Sequence, residues 1–405
     1  MALTKSQHFP SRLSGLCRRK VNGVLMQETP PRHLRRPRRR PAIRMIIRLT
    51  ALLSLPPAVA WANPVAALHR GVNLTNWFRY PASQAPSALA GYIGDLALAD
   101  LRHAGFDFVR LAVDPAVVAA PTGRTALLAA IRRIQHQGLT VVIAPHPTGW
   151  HLETSASDRQ ALRDFWTTLS AALRPLDPAR TLPEVLNEPV FAGDPAGWAR
   201  LQHAVLTLIR QNLPRSTVIL TGQDWGSIGG LLALTPTVDA PKADAPEADA
   251  NVIYSFHFYE PTELTSLAAY RHDVDRTALA ALPFPVAGAC PVSAANAATR
   301  DLIRYYCALG WDAAHLRTRI DQAFVWAHAH GVHLLAGEFG ATAELNPVAR
   351  LTWIGAVRRI LDADHIAWAL WGYDDIMGFA VHRPPGRRPP LDPALLGALD
   401  LHTPM

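Results

Sequence analysis

Several features are scarce in this 405-residue chain, and each scarcity excludes something. It has three cysteines, and none stand in a CxxC pair, so the sequence offers no thiolate metal site. The first candidate strand runs into GVNLTNW, which holds one glycine, so the glycine-rich turn that cradles a nucleotide phosphate is missing. No 20–50-residue unit repeats, which excludes a solenoid. The one long apolar run, residues 45–60 (MIIRLTALLSLPPAVA), is too short to span a bilayer and is interrupted by Pro56-Pro57. Acidic residues are nearly absent from residues 1–62, where thirteen Lys/Arg face only Glu28. The net charge of +8 therefore divides into +12 for that segment and −4 for the rest. Basicity confined to a tail is not a nucleic-acid-binding face, and no nucleic-acid partner is expected.

What is present in the tail reads as an export signal. An Arg/Pro-rich run, 31–44, precedes the apolar stretch, and Ala60-Trp61-Ala62 has the small-x-small cleavage pattern with Asn63 as the mature start. Met45 is an alternative initiator, since the signal is complete from there. The expected organisation is a basic extension and signal over 1–62 and one domain over 63–405. The product is expected to be secreted or periplasmic, monomeric, and free of stable membrane association after cleavage. Cys290 and Cys307 remain in the mature chain, and in an exported protein two cysteines favour a disulfide.

From residue 67 a short apolar run, a polar loop and a helical stretch alternate. Candidate strands are 70–74, 106–113, 139–144, 182–186, 217–220, 251–258, 332–337 and 366–371. Helical spacing marks 95–103, 125–137, 158–173, 195–212, 312–330 and 347–361, with shorter stretches at 226–234 and 393–399. Eight such units predict an α/β (β/α)₈ TIM barrel, with a doubly wound open sheet as the alternative. Residues 236–250 (PTVDAPKADAPEADA) read as a surface excursion. Residues 260–310, holding both mature cysteines, read as a long loop insertion after strand six, and 383–388 (RPPGRR) as a loop.

A barrel collects its chemistry at the C-terminal strand ends. Those ends offer Asn73 and Trp77, Arg110, His146 and Trp150, Asn187 and Glu188, Trp225, His257 and Tyr259, Glu338, and Trp371. Singly, each has a plain structural reading: an ion pair for Arg110, core histidines, packing tryptophans, a solvated Glu188. Jointly they place two carboxylates among aromatics. That is the equipment of glycoside cleavage, with one carboxyl as acid and the other as base or nucleophile, and ring faces for pyranose C–H groups.

In combination and order these residues resemble glycoside hydrolase family 5, the retaining β-glycanases. The motifs are VRL with Arg110, His146 after strand three, LPEVLNEP with Asn187 and Glu188, HFY with His257 and Tyr259, GEFG with Glu338, and Trp371 closing strand eight. The resemblance covers about residues 68–378. It implies Glu188 as acid/base and Glu338 as nucleophile, with Arg110 and Tyr259 holding Glu338. It further implies Asn187 on the sugar 2-hydroxyl, His257 beside the acid/base, and His146 and Trp371 lining the subsite of the cleaved sugar. Trp77, Trp150 and Trp225 are added as aromatic substrate contacts. One departure is the pair of prolines, Pro145 and Pro147, that flank and stiffen His146. The implied substrate is a β-glucan or related polysaccharide, cut as by an endo-β-1,4-glucanase. β-1,3-Glucanase, β-mannanase and exo-β-glucosidase activities are the alternatives, and a non-catalytic carbohydrate-binding barrel stands behind them. No metal or organic cofactor is expected.

Overall fold

The computed structural model describes residues 68–236, 251–288, 290, 293–381 and 389–404. The tail 1–62, most of 236–250 and the stretch 383–388, read above as export signal, excursion and loop, lie outside the described residues. Eight strands run in chain order: β1 (Arg70–Phe78), β2 (Phe108–Val113), β3 (Thr140–Pro145), β4 (Thr181–Pro183), β5 (Val218–Thr221), β6 (Val252–Phe258), β7 (His333–Phe339) and β8 (Ala367–Leu370). They form one parallel sheet in the order β4-β3-β2-β1-β8-β7-β6-β5. Its two outer strands meet through a single bridge, Glu184 to Ile219. That bridge nearly closes the barrel, and the open-sheet alternative is excluded. β4 is shorter than the 182–186 expected, because Pro183 has no N–H to give to a ladder.

The helices begin where the sequence supplies caps. Asp114, Asp194, Asn346 and Asp392 each precede a proline and accept a backbone N–H from the first turn. The helix Pro195–Asn212 has the bounds expected of it. The residues after β6 are not an irregular loop. They contain helices Thr262–Thr265, Arg276–Leu279 and Ala297–Leu309, the last bearing Leu302, Ile303 and Tyr306 on one buried face. A disulfide joins Cys290 to Cys307 across this segment, with Cα atoms 5.9 Å apart. Among the described residues, no helix is long and apolar enough to cross a membrane.

Two apolar clusters divide the interior. The larger lies between strands and helices. The smaller comprises Leu68, Phe108, Val142, Leu182, Ile219, Ile253, Leu335, Ala367 and Ala369, and it fills the lower barrel lumen. Side chains alternate faces along a strand, so two residues further on the chain again points inward. That step leads from Phe108 to Arg110, from Leu182 to Glu184, from Ile253 through Ser255 to His257, and from Ala369 to Trp371. From Val142 it leads through Ala144 to His146. The lumen is therefore apolar below and polar at its C-terminal end. Gly71 is glycine because the Phe108 ring sits where a Cβ would be, 2.2 Å away.

Candidate active site

Arg110 is the centre of the polar layer. It is fully buried, and its guanidinium makes five hydrogen bonds. Nε and Nη2 donate to the two oxygens of Glu184 at 2.7 Å each. Nη1 donates to Glu338 Oε1 at 2.6 Å and to Asn73 Oδ1 at 2.9 Å. Nη2 also donates to Asn187 Oδ1 at 2.8 Å. Burial alone would lower its pKa, but the charges of Glu184 and Glu338 outweigh burial and raise it, so the cation is permanent. Asn73 is fixed in turn by donating to the carbonyls of Gly337 and Leu370, both at 3.1 Å.

Glu184 is the functional residue that sequence reasoning missed. It is as buried as Arg110 and is its bidentate partner. The signal was present: Glu184 stands two residues beyond Leu182, on the lumen-facing phase of a buried strand, where an acid requires a cation.

Glu338 reaches the lumen through an irregularity. β6 and β7 pair Phe256 with Ala336 and then His257 with Glu338, so β7 carries one extra residue, Gly337. Strict alternation from Leu335 would send Glu338 outward; the bulge turns it inward. A Cβ on Gly337 would lie 2.5 Å from Ser255 Oγ, so the position needs glycine. Both Glu338 oxygens then accept: Oε1 from Arg110, and Oε2 from the Tyr259 hydroxyl at 2.9 Å. Burial, followed by the charges of Glu338 and Glu188, holds the Tyr259 pKa well above the ordinary range, so it stays a donor.

Glu188 faces Glu338 across His257. His257 Nδ1 lies 3.0 Å from Glu188 Oε1 and 3.5 Å from Glu338 Oε2. Burial pushes the imidazole pKa down, but the Glu338 charge and the hydrogen bond to Glu188 outweigh this and leave it raised. One carboxylate oxygen of each glutamate and the His257 nitrogen all fall within 4.8 Å of one another. Among the described residues this is the one cluster compact enough to ligate a cation, and its internal hydrogen bonds already account for the closeness. Glu188 has φ of 27°, a left-handed conformation that costs a non-glycine residue about 1–3 kcal/mol. Neighbouring bonds hold it: Asn187 N–H to Pro145 O at 3.0 Å, and Trp225 N–H to Pro189 O at 3.2 Å.

His146 is buried and stacks on Trp371, with ring centroids 5.7 Å apart and planes 22° apart. Neither of its ring nitrogens has a partner. Burial, then the charges of Arg79, Arg110 and His257, put its pKa well below the histidine norm, so the ring is neutral. Trp371 retains 8% exposure.

The added tryptophans divide. Trp225 is half-buried beside Glu188, through its bond to Pro189. Trp150 is half-buried against the outer core. Trp77 is a correction: it is fully buried, donates Nε1 to Leu89 O at 2.7 Å and stacks on Tyr92. It has no face to offer a sugar. β1 runs four residues past its expected end, which carries Trp77 into the packing under the rim.

A profile of the cellulase family (glycosyl hydrolase family 5) matches residues 71–375. Endoglucanase 3 of Fibrobacter succinogenes is 27% identical over 346 residues, covering 76% of this chain and 49% of that protein. The chain thus spans about half the length of that relative. Cel5A of Thermotoga maritima, solved with cellobiose, superposes with a TM-score of 0.63 at 21% identity, covering 83% of this chain and 98% of that one. The same enzyme has been solved with mannotriose, at 20% identity and a TM-score of 0.63 over the same shares. The cellulose synthase subunit Z of Clostridioides difficile gives 0.61 at 20% identity, covering 82% and 99%. These likenesses extend the barrel to known structures, and the profile spans every strand that carries the polar layer: the chain belongs to the cellulase family, glycosyl hydrolase family 5.

Proposed function

We propose that the enzyme cleaves β-1,4-glucan chains internally, with retention of anomeric configuration, using Glu338 as nucleophile and Glu188 as acid/base. The observation that carries this reading is the approach of the two carboxylates to within 4.8 Å. Retaining enzymes hold their carboxyl groups about 5–5.5 Å apart, whereas inverting enzymes leave about 6.5–9.5 Å for a water. The roles follow from the contacts. Glu338 is gripped at both oxygens, so one lone pair is aimed at the anomeric carbon. Among the described residues the Glu188 carboxylate hydrogen-bonds His257 alone, which leaves its other oxygen to turn to the glycosidic oxygen.

In the first step a Glu338 oxygen bonds the anomeric carbon as the C–O bond to the leaving sugar breaks. Glu188 gives its proton to that leaving oxygen. In the second step Glu188 takes a proton from water, whose oxygen attacks the anomeric carbon and releases Glu338. When Glu338 becomes an ester and loses its charge, Arg110 keeps Glu184 as counter-ion, so the intermediate strands no buried cation. The Arg110 N–H on Asn187 Oδ1 fixes which end of that amide donates, and its Nδ2 serves the sugar 2-hydroxyl. His146 offers its unpartnered nitrogens to a hydroxyl of the same ring.

Glu338→Gln is expected to abolish hydrolysis while oligosaccharide binding persists; near-normal turnover would remove Glu338 from its role. Product sizing on carboxymethyl cellulose, lichenan, laminarin and mannan separates linkage preference from endo or exo action. Mannan is the second substrate class to test, because Thermotoga maritima Cel5A has been solved with both cellobiose and mannotriose. The apolar run at 45–60, with its cleavage pattern, supports export of the mature enzyme.

A further inference from the structure

Each charged group described so far in the barrel mouth is answered by another. Arg110 is saturated by five acceptors, and His257 lies between two glutamates. Arg79, one residue beyond β1, is different. Its guanidinium carbon lies 4.8 Å from the centroid of Tyr80 and 5.6 Å from that of Trp371, so two aromatic rings support it. Among the described residues it has no carboxylate at ion-pair distance and no hydrogen-bond acceptor. Its charge is felt at His146, which stacks on the same Trp371. Tyr80 carries the row outward and is 56% exposed. Asp375, after β8, feels Arg79 without touching it. Its Oδ1 accepts the Met377 N–H at 2.9 Å, and burial, aided by the charges of Asp374 and Glu338, raises its pKa.

We propose that Arg79 and Tyr80 form an anion-recognising subsite, and that the enzyme favours β-glycan chains bearing a carboxylate on a sugar beside the one being cleaved. The proposal rests on the glycan-cleaving reading above for its substrate, though not for its test. A guanidinium supported on aromatic faces keeps its planar fork of N–H groups, the geometry that binds a carboxylate through two parallel hydrogen bonds. A neutral glucan uses those donors one hydroxyl at a time and leaves the charge unanswered. A carboxylate answers it. The two catalytic glutamates repel anions, so a carboxylated sugar is tolerated only where a cation free of a direct ion pair faces it, and among the described residues of the barrel mouth Arg79 is that place. The exposed Tyr80 ring supplies an apolar face for the pyranose that carries the acid.

Calorimetry on the full enzyme tests this with two disaccharides: cellobiouronic acid, whose non-reducing ring bears a C6 carboxylate, and cellobiose. The wild type is expected to bind the acid about tenfold more tightly than cellobiose in dilute buffer. The preference should shrink as NaCl rises from about 20 mM to about 500 mM, because surface charge is screened. Arg79→Gln is expected to erase the preference, and Arg79→Lys to retain part of it, since Lys keeps the charge and loses the fork. Equal binding of the two sugars by the wild type overturns the proposal. So does an Arg79→Gln variant that weakens both in the same proportion, which would make Arg79 a packing residue for Trp371. Because binding is read without turnover, an enzyme that prefers the acid but cleaves no β-glucan would refute the proposed function and leave this subsite standing.

Discussion

Replacing Glu184 with Gln separates the buried support from the reacting groups. The substitution keeps volume and one acceptor and removes one negative charge from a pair with no solvent access. At a charge separation of about 4 Å and an effective dielectric of about 20, a unit pair is worth about 4 kcal/mol. A Gln oxygen still accepts one Arg110 N–H, but its NH₂ group is pushed against the other, now 2.7 Å from an acceptor. A net loss of about 3 kcal/mol follows, at the low end for breaking a buried pair. For a domain of this size that lowers Tm by roughly 4 °C. Catalysis should suffer too. Arg110 would be drawn toward Glu338, its remaining carboxylate, and the Asn187 amide it orients would lose its fixed direction. A fall in kcat of about 10- to 100-fold is expected, since a misplaced catalytic group costs on that order. Differential scanning calorimetry and initial rates on an aryl β-cellobioside measure both effects. A variant within about 1 °C and twofold of wild type would refute the view that Glu184 holds Arg110, and through it the nucleophile, in place.

Four further outcomes follow. Glu338→Gln should lose turnover and retain oligosaccharide binding, as read by calorimetry against rate. Tyr259→Phe removes one hydrogen bond to Glu338 and should lower kcat by about 10- to 100-fold, evenly from about pH 5 to 9 because the phenol stays protonated; a pH-dependent defect would contradict that. The two histidines should act on stability in opposite directions. His257, with a raised pKa, adds stability that is full below about pH 6.5 and lost as pH rises through its folded value, whereas His146, held neutral, loses stability as pH falls below about 6.5. Melting curves of His257→Gln and His146→Phe across that range should flatten the alkaline and the acid limb respectively. Breaking the Cys290–Cys307 link, which closes a 17-residue separation, should cost about 3 kcal/mol by chain entropy. Faster proteolysis within 260–310 of a double Ser variant would register it, and an unchanged digestion rate would not fit.

Much of this was legible in the sequence because barrel strands are written in runs buried on both faces. β2, β3 and β6 were found within two residues of their observed ends, since Val, Ile and Phe cluster there. The reacting residues stood out for the same reason: a carboxylate that ends an apolar run has few structural excuses. Glu184 escaped because it lies within the run rather than at its end, and its partner is 74 residues away. Trp77 misled because a tryptophan near a strand end reads alike whether it faces sugar or Leu89. The helix Ala297–Leu309 was hidden by its neighbours, since proline and alanine around it blurred the period. Arg79 carried no motif at all; only packing shows that, among the described residues, it has no ion pair and no hydrogen-bond acceptor.

The single extra residue in β7 has a consequence for how such a site is transferred or lost. The nucleophile owes its inward aim to a count of residues along the strand, so the letter at 338 is only half of the instruction. Copying Glu onto the same position of an inert barrel would plant a carboxylate in the layer beneath the helices. Deleting Gly337 here would do the same while leaving every named side chain in the sequence. A family of such barrels can therefore gain or lose its chemistry by insertion and deletion, a class of change that substitution scanning never samples.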